Sequence, residues 1–284
     1  MHLEKIALVL EGGGMRAMFS AGVFEAFLAK DITFPYISSI SAGSCNILSY
    51  MSKQSMRNLK IVEMFAEDRR YFGLWNWLTT GNIFGFDFIF KEIPSKYVPF
   101  DYEQFLRYPG RLQIGATDIR KGGGVWFDKE QIAKDFIQVR ASASLPFLST
   151  IAKVDGRELL DGGLISPIPI DKAMEAGYEK FVVVLTRNLG FRKNEKVPKW
   201  LVKTVYHNYP KLGQLLAARS DLYNQQLELV EELERQGRAV VIRPEKPMEI
   251  RRLDVKKDKL IALHEQGLEC GLAAYDKMVE LLHK

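Results

Sequence analysis

The sequence predicts an α/β fold whose mainly parallel sheet is covered on both faces. Three observations carry this. Short runs rich in β-favouring residues alternate with segments of helical periodicity along the chain. Runs such as IALVL (6–10) and FVVVL (181–185) are apolar throughout rather than alternating, as strands buried on both faces are. The chain has 284 residues, 47% of them hydrophobic and 26% charged, which suits one elaborated soluble domain.

In chain order, IALVL reads as the first strand, bounded by glycine. Met15, Met18, Phe19, Gly22, Val23, Ala26 and Phe27 then recur at helical spacing and predict one apolar stripe. YISSIS (36–41) reads as the next strand and AGSCNILSYMSK (42–53) as its helix. Residues 71–100 are crowded with aromatics and broken by glycine and proline. RLQIGATD and VWFD follow as strands, then a helix over about 130–142. IAKV-DG-RELL is a hairpin, because Asp155-Gly156 supplies the positive φ angles of a two-residue turn. PIDKAMEAGYEK reads as helix and FVVVLTR as a buried strand. Beyond it, LYNQQLELVEELERQG is a helix stopped by Gly237, AVVIRP a strand, and residues from about 256 onward a final helix. The expected division is a core at 5–190 and a mostly helical C-terminal elaboration at 191–284, packed on the same domain.

Composition narrows the class. Cys45 and Cys270 are the only cysteines, so a disulfide framework and a cysteine metal site are both excluded. MHLEK passes directly into IALVL without the regions of a signal peptide, and no apolar run is long enough to span a bilayer. The expected setting is cytoplasmic. A net charge of +5 does not point to nucleic acid. Its distribution is uneven: Arg187, Arg192, Lys193, Lys196, Lys199, Lys203, Lys211 and Arg219 are opposed within their span only by Glu195. Such a run is either a solvated helical surface or an attraction to anionic headgroups, which would place the protein peripherally at the inner membrane face.

Gly12, Gly13 and Gly14 occupy the first strand-to-helix turn, and three explanations compete. One is a structural turn. Another is a dinucleotide site, since Gly12-x-Gly14-x-x-Ala17 satisfies G-x-G-x-x-G/A. The acidic residue this requires would have to close the second strand, whereas Asp31 precedes it, so no cofactor is expected. The third is an oxyanion site, with backbone N–H groups converging at a helix N-terminus and Arg16 adding positive charge. That reading needs a nucleophile. Ser39-Ile40-Ser41-Ala42-Gly43 supplies one, between a strand and a helix, in the setting of a nucleophile elbow; Ser39 stands where G-x-S-x-G has its first glycine. His2, His207, His264 and His283 read as surface histidines without catalytic context. The better proton acceptor is Asp161, in Asp161-Gly162-Gly163, at the end of a hairpin strand.

Gly12-Gly13-Gly14-Met15-Arg16, Ser41 within SISAG, RASASLPFL and Asp161-Gly162-Gly163, in this order, resemble the patatin-like phospholipase family, bacterial members above all. The resemblance spans roughly residues 5–190. It implies a three-layer α/β/α sandwich and metal-free lipid acyl hydrolysis by a serine–aspartate dyad. Ser41 would be the nucleophile, Asp161 the proton acceptor, and the turn of Gly12, Gly13, Gly14 and Arg16 the oxyanion site. The expected substrate is a lipid or other fatty-acyl ester. The alternative is a catalytically weak or inactive lipid-binding protein on the same fold. The aromatic segment 71–100 is the candidate acyl groove or lid.

Overall fold

Every run read as a strand joins one sheet. The structure is a computed structural model that describes residues 1–247 and 250–283. Its strands are β1 (Ile6–Leu10), β2 (Tyr36–Ile40), β3 (Arg111–Asp118), β4 (Gly123–Asp128), β5 (Ala152–Val154), β6 (Arg157–Asp161), β7 (Lys180–Val184) and β8 (Ala239–Ile242). The helices are α1 (Met18–Ala29), α2 (Ser41–Met51), α3 (Arg57–Phe65), α4 (Leu74–Thr80), α5 (Tyr102–Arg107) and α6 (Ile137–Ser142). They continue with α7 (Ile170–Glu175), α8 (Lys199–Val205), α9 (Pro210–Arg235), α10 (Lys257–Ala273) and α11 (Tyr275–His283).

The sheet order is β5-β6-β3-β2-β1-β7-β8, with β4 on the other edge of β3. From β3 through β8 neighbouring strands run parallel; β4, β5 and β6 pair antiparallel. Leu8 and Leu10 of β1 face a core shared with α1, α2, α10 and α11, while Ala7 and Val9 face one shared with α7 and α9. Helices therefore cover both faces, and the period-2 geometry of a strand explains the continuous apolar runs. The hairpin turn is as expected, with φ of 48° at Asp155 and 73° at Gly156. β8, from the C-terminal part of the chain, extends the same sheet beside β7.

One feature of this topology positions the site. Along a single edge of β3, β2 pairs as far as Ile40↔Gly115, and β6 takes over at Ala116↔Asp161. The other edge is occupied by β4 across Gln113–Asp118. Two strands running in opposite directions thus end head to head on consecutive residues of β3. Ser41 leaves the end of one, and Asp161 is the last residue of the other.

Three segments differ from the sequence reading. α1 is buried from Met18 to Phe27 on every side, not along one stripe: α10 lies against the stripe, while Phe24 packs on Tyr50 and Glu25 accepts from Ser55 on the other face. Glycines permit that approach: a Cβ at Gly22 would sit 1.9 Å from the His264 carbonyl oxygen, and one at Gly267 would sit 2.0 Å from that of Phe19. The helix expected over 130–142 is only α6, since Phe136 takes a left-handed φ of 56° just before it. The final helix is interrupted at Ala274. Gly267→Ala would gain about 1 kcal/mol of helix propensity. Forcing a methyl against a carbonyl in this contact costs about 3 kcal/mol. The clash wins, so the urea midpoint should fall with an unchanged m-value.

Candidate active site

β2 gives way to α2 at Ser41, whose φ of 52° lies in the left-handed region that non-glycine residues rarely occupy. The surroundings hold it there. The Ser41 N–H donates to Ser142 Oγ at 2.8 Å, and Ser142 Oγ donates to the Gly115 carbonyl at 2.6 Å. A Cβ at Gly43 would lie 2.9 Å from the Glu11 carbonyl oxygen, so the elbow can rest on the end of β1 only with glycine there. Ser39 does not distort the turn. Its side chain is buried, with Oγ 3.0 Å from Ser44 Oγ, in a small hydroxyl network under the elbow.

Ser41 Oγ donates to Asp161 Oδ2 at 2.6 Å, and both residues are buried. The second carboxylate oxygen, Oδ1, accepts from the Gly163 N–H at 2.8 Å. The backbone of Asp161 is fixed as well: its N–H donates to the Ser144 carbonyl and its carbonyl accepts from Thr117 Oγ1, each at 2.8 Å. Gly162 must be glycine, because a Cβ would fall 2.2 Å from the Gly115 carbonyl oxygen. The hydroxyl and carboxylate are therefore aligned by backbone whose polar groups are held by buried partners, Ser142 and Thr117 among them.

The glycine turn stands over this pair. A Cβ at Gly12 would meet Ser41 Cβ at 2.9 Å, and one at Gly13 would meet Thr186 Oγ1 at 2.7 Å. Gly14 has a φ of 58° and packs against the backbone of Arg252, whose carbonyl accepts the Met15 N–H at 2.9 Å. Among the described residues, the N–H groups of Gly12, Gly13 and Gly14 donate to no acceptor. Glu11 braces the turn from below. Its carboxylate accepts from the Thr186 N–H at 2.5 Å and from Tyr223 Oη at 3.1 Å. Burial pushes the Glu11 carboxyl up, against the opposing pull of the Thr186 N–H and Arg16.

Ser41 lies between two cavities of opposite character. One, about 100 Å³, is lined by Met15, Met18, Tyr71, Phe84, Phe86 and Phe90, with Ala42 and Cys45 at its floor. Burial pushes the Cys45 thiol up to about 12, so it stays protonated. The other, about 40 Å³, contains Asp161, Arg16, Arg187, Lys193, Arg219 and Arg252. The segment 71–100 is accordingly split. Phe86 and Phe90 wall the first cavity, whereas α4 buries no side chain and exposes Leu74, Trp75 and Leu78 at 64%, 66% and 65%.

The basic run is also split. Lys196, Lys199, Lys203 and Lys211 face solvent, and Arg192 pairs with Glu231 at 2.7 Å, a partner outside its own span. Arg187, Lys193 and Arg219 turn inward to the second cavity. His264 corrects the surface reading: it is buried on α10, and burial lowers its basicity. Among residues the sequence reading passed over, Glu11, Thr186, Tyr223 and Arg252 reach the site only through tertiary packing and carry no local signal. Ser142 lies in the quoted RASAS stretch, which gave no hint of its hydrogen bond to the elbow.

A mostly parallel, helix-covered sheet with a serine at the turn after its second strand has the strand–turn–helix setting of a nucleophile elbow on an α/β fold. The family model described as patatin-like phospholipase matches residues 8–174, and the chain belongs to that family. A second model, described as a domain of unknown function (DUF6363), matches residues 209–283. The chain is 24% identical over 196 residues to the uncharacterized protein YjjU of Escherichia coli K12, covering 64% of this chain and 52% of that one. It is also 24% identical over 195 residues to lysophospholipase NTE1 of Cryptococcus neoformans, covering 64% of this chain and 11% of that one. The match thus spans about half of one relative and about a tenth of the other. Among solved structures, VipD from Legionella pneumophila aligns with 99% of this chain and 67% of that one, at a TM-score of 0.47 and 14% identity.

Proposed function

We propose that this protein is a serine hydrolase that cleaves fatty-acyl ester bonds of lipids with Ser41 as nucleophile and Asp161 as its base. The observation that carries the reading is the buried 2.6 Å hydrogen bond from Ser41 Oγ to Asp161 Oδ2, set between an apolar and a polar cavity. Asp161 accepts the hydroxyl proton as Oγ attacks the ester carbonyl. The negative oxygen that develops is met by the free N–H groups of the glycine turn, with Arg16 adding positive charge. Protonated Asp161 then gives its proton to the departing alcohol, which leaves an acyl-serine. Water deprotonated by the same carboxylate releases the fatty acid and restores the serine. The acyl chain would occupy the cavity walled by Phe84, Phe86 and Phe90, while the alcohol side faces the polar cavity.

The direct test is covalent. A fluorophosphonate probe should label the protein at Ser41, since labelling requires an activated hydroxyl and a formed oxyanion site. Folded protein that stays unlabelled would favour the non-catalytic lipid-binding alternative instead.

The same reading places the protein in the cytoplasm, in peripheral contact with the inner membrane face. Among the described residues no helix is long and apolar enough to cross a membrane. What supports contact is α4, which carries Leu74, Trp75 and Leu78 into solvent between Tyr71 and Phe84 of the apolar cavity. Replacing these three by serine should reduce flotation with anionic liposomes at least about tenfold, given roughly 1.5–3 kcal/mol per large apolar side chain buried. Hydrolysis of a water-soluble short-chain ester should change little. Flotation equal to the parent protein would remove α4 from the interface.

A further inference from the structure

The cavity beside Asp161 is unusual in its charge. It gathers Arg16, Arg187, Lys193, Arg219 and Arg252 from four separate parts of the chain. Several guanidinium groups elsewhere have carboxylate partners, such as Arg111 with Asp128, Arg192 with Glu231, and Arg243 with Glu234. Inside the cavity, none of the four arginines forms an ion pair among the described residues. Among the described residues, the Nε atoms of Arg16, Arg219 and Arg252 are buried with no hydrogen-bond partner. Burying a cation without satisfying its donors is costly, and three such donors at one place mark a site built for an anion. Three carboxylates also face the cavity: Glu11, Asp161 and Glu195, the last 3.6 Å from Lys193. Five cations less three carboxylates leave a surplus of two positive charges.

We infer that this cavity binds a phosphate group, and that the preferred substrate is a fatty-acyl ester whose alcohol carries a phosphomonoester. The inference rests on the hydrolase reading for the ester and on the cavity itself for the phosphate. The surplus charge matches a dianion, and arginine forks suit the three free oxygens of a terminal phosphate. The volume, about 40 Å³, offers room for roughly three waters, the scale of a phosphate group. Burial and mutual repulsion both weigh on these cations. Burial and then Arg252 hold Arg219 down to about 10, and burial and then Arg219 hold Lys193 down to about 8. Arg219 on α9 and Arg252 before α10 both lie beyond the residues matched by the patatin-like model. The C-terminal part of the chain therefore has a role: it supplies Lys193, Arg219 and Arg252, three of the five cations, to a headgroup site on the core.

Two measurements decide this. The first compares kcat/KM for 1-oleoyl-glycerol-3-phosphate and 1-oleoyl-glycerol below their aggregation limits. The phosphorylated ester should be favoured about 100-fold, and Arg219→Gln/Arg252→Gln should reduce that ratio to below about threefold, as loss of two charge-assisted contacts implies. A parent ratio near one, or a ratio that survives in the variant, overturns the inference. The parent ratio needs no variant, so misfolding of the double substitution leaves the test intact. The second titrates glycerol 3-phosphate, 1-oleoyl-glycerol-3-phosphate and orthophosphate into Ser41→Ala protein by calorimetry, without turnover. Saturable glycerol 3-phosphate binding, lost when the two arginines are also replaced, supports the site even if no ester is cleaved. Hydrolysis of the neutral ester without any phosphate binding refutes the site and leaves the hydrolase standing. Orthophosphate binding as tightly as the acylated ligand assigns the cavity to free phosphate and overturns the headgroup.

Discussion

Ser41→Ala should abolish ester hydrolysis, with kcat/KM on a fatty-acyl p-nitrophenyl ester falling at least about 10,000-fold. The hydroxyl is the atom that forms the acyl bond, and no other serine near the dyad can take its place. Ser142 and Ser44 are buried, with Ser142 Oγ already committed to the Ser41 N–H and the Gly115 carbonyl. Removing one oxygen leaves the elbow intact, because the left-handed backbone at position 41 is held by the Ser41 N–H bond to Ser142, which alanine keeps. A thermal midpoint near that of the parent, together with lost fluorophosphonate labelling, is the expected pair of results. A folded variant that retained turnover would mean that another nucleophile does the chemistry.

Asp161→Asn should cost about 1,000-fold in kcat, the scale of a positioned base, while leaving KM nearly unchanged. The amide oxygen can still accept the Gly163 N–H at the Oδ1 position, so the turn after β6 should survive. An amide cannot take the Ser41 proton, however. Asp161→Ala separates the two roles: it also orphans the buried Gly163 N–H and should lower stability by about 1–3 kcal/mol. Because Asn-Gly dipeptides deamidate, the asparagine variant must be assayed fresh. A turnover number within tenfold of the parent would assign the proton to some other acceptor.

Much of the candidate site is legible in the sequence because its parts are local. The glycine turn, S-I-S-A-G and D-G-G each announce a sharp reversal at a strand end, and glycine is sterically required at one position in each. A Cβ would collide at Gly12, Gly43 and Gly162. The sheet is legible for a related reason, since strands buried on both faces are apolar without alternation. What the sequence conceals is assembled at long range. Arg219 and Arg252 look like ordinary solvated cations on helical or irregular stretches, and only packing turns them toward Ser41. The basic run reads as one feature yet divides by side-chain direction. α1 shows a stripe of apolar residues, and α10 covers it at Phe19, Gly22, Val23 and Ala26, while Phe24 and Glu25 on the remaining face are buried by long-range partners, Tyr50 and Ser55, that no local pattern reveals. The buried His264 is hidden in the same way.

The head-to-head ending of β2 and β6 makes β3 a ruler on which both reactive atoms are marked. Adjacent graduations, Gly115 and Ala116, set where each arriving strand halts. Slipping either strand by one graduation would move its end about 3.3 Å and turn its side chains to the opposite face. Insertions and deletions inside β3 are therefore forbidden to any descendant that keeps the chemistry, whereas the Asp155-Gly156 loop at the far tip of the hairpin is free to drift.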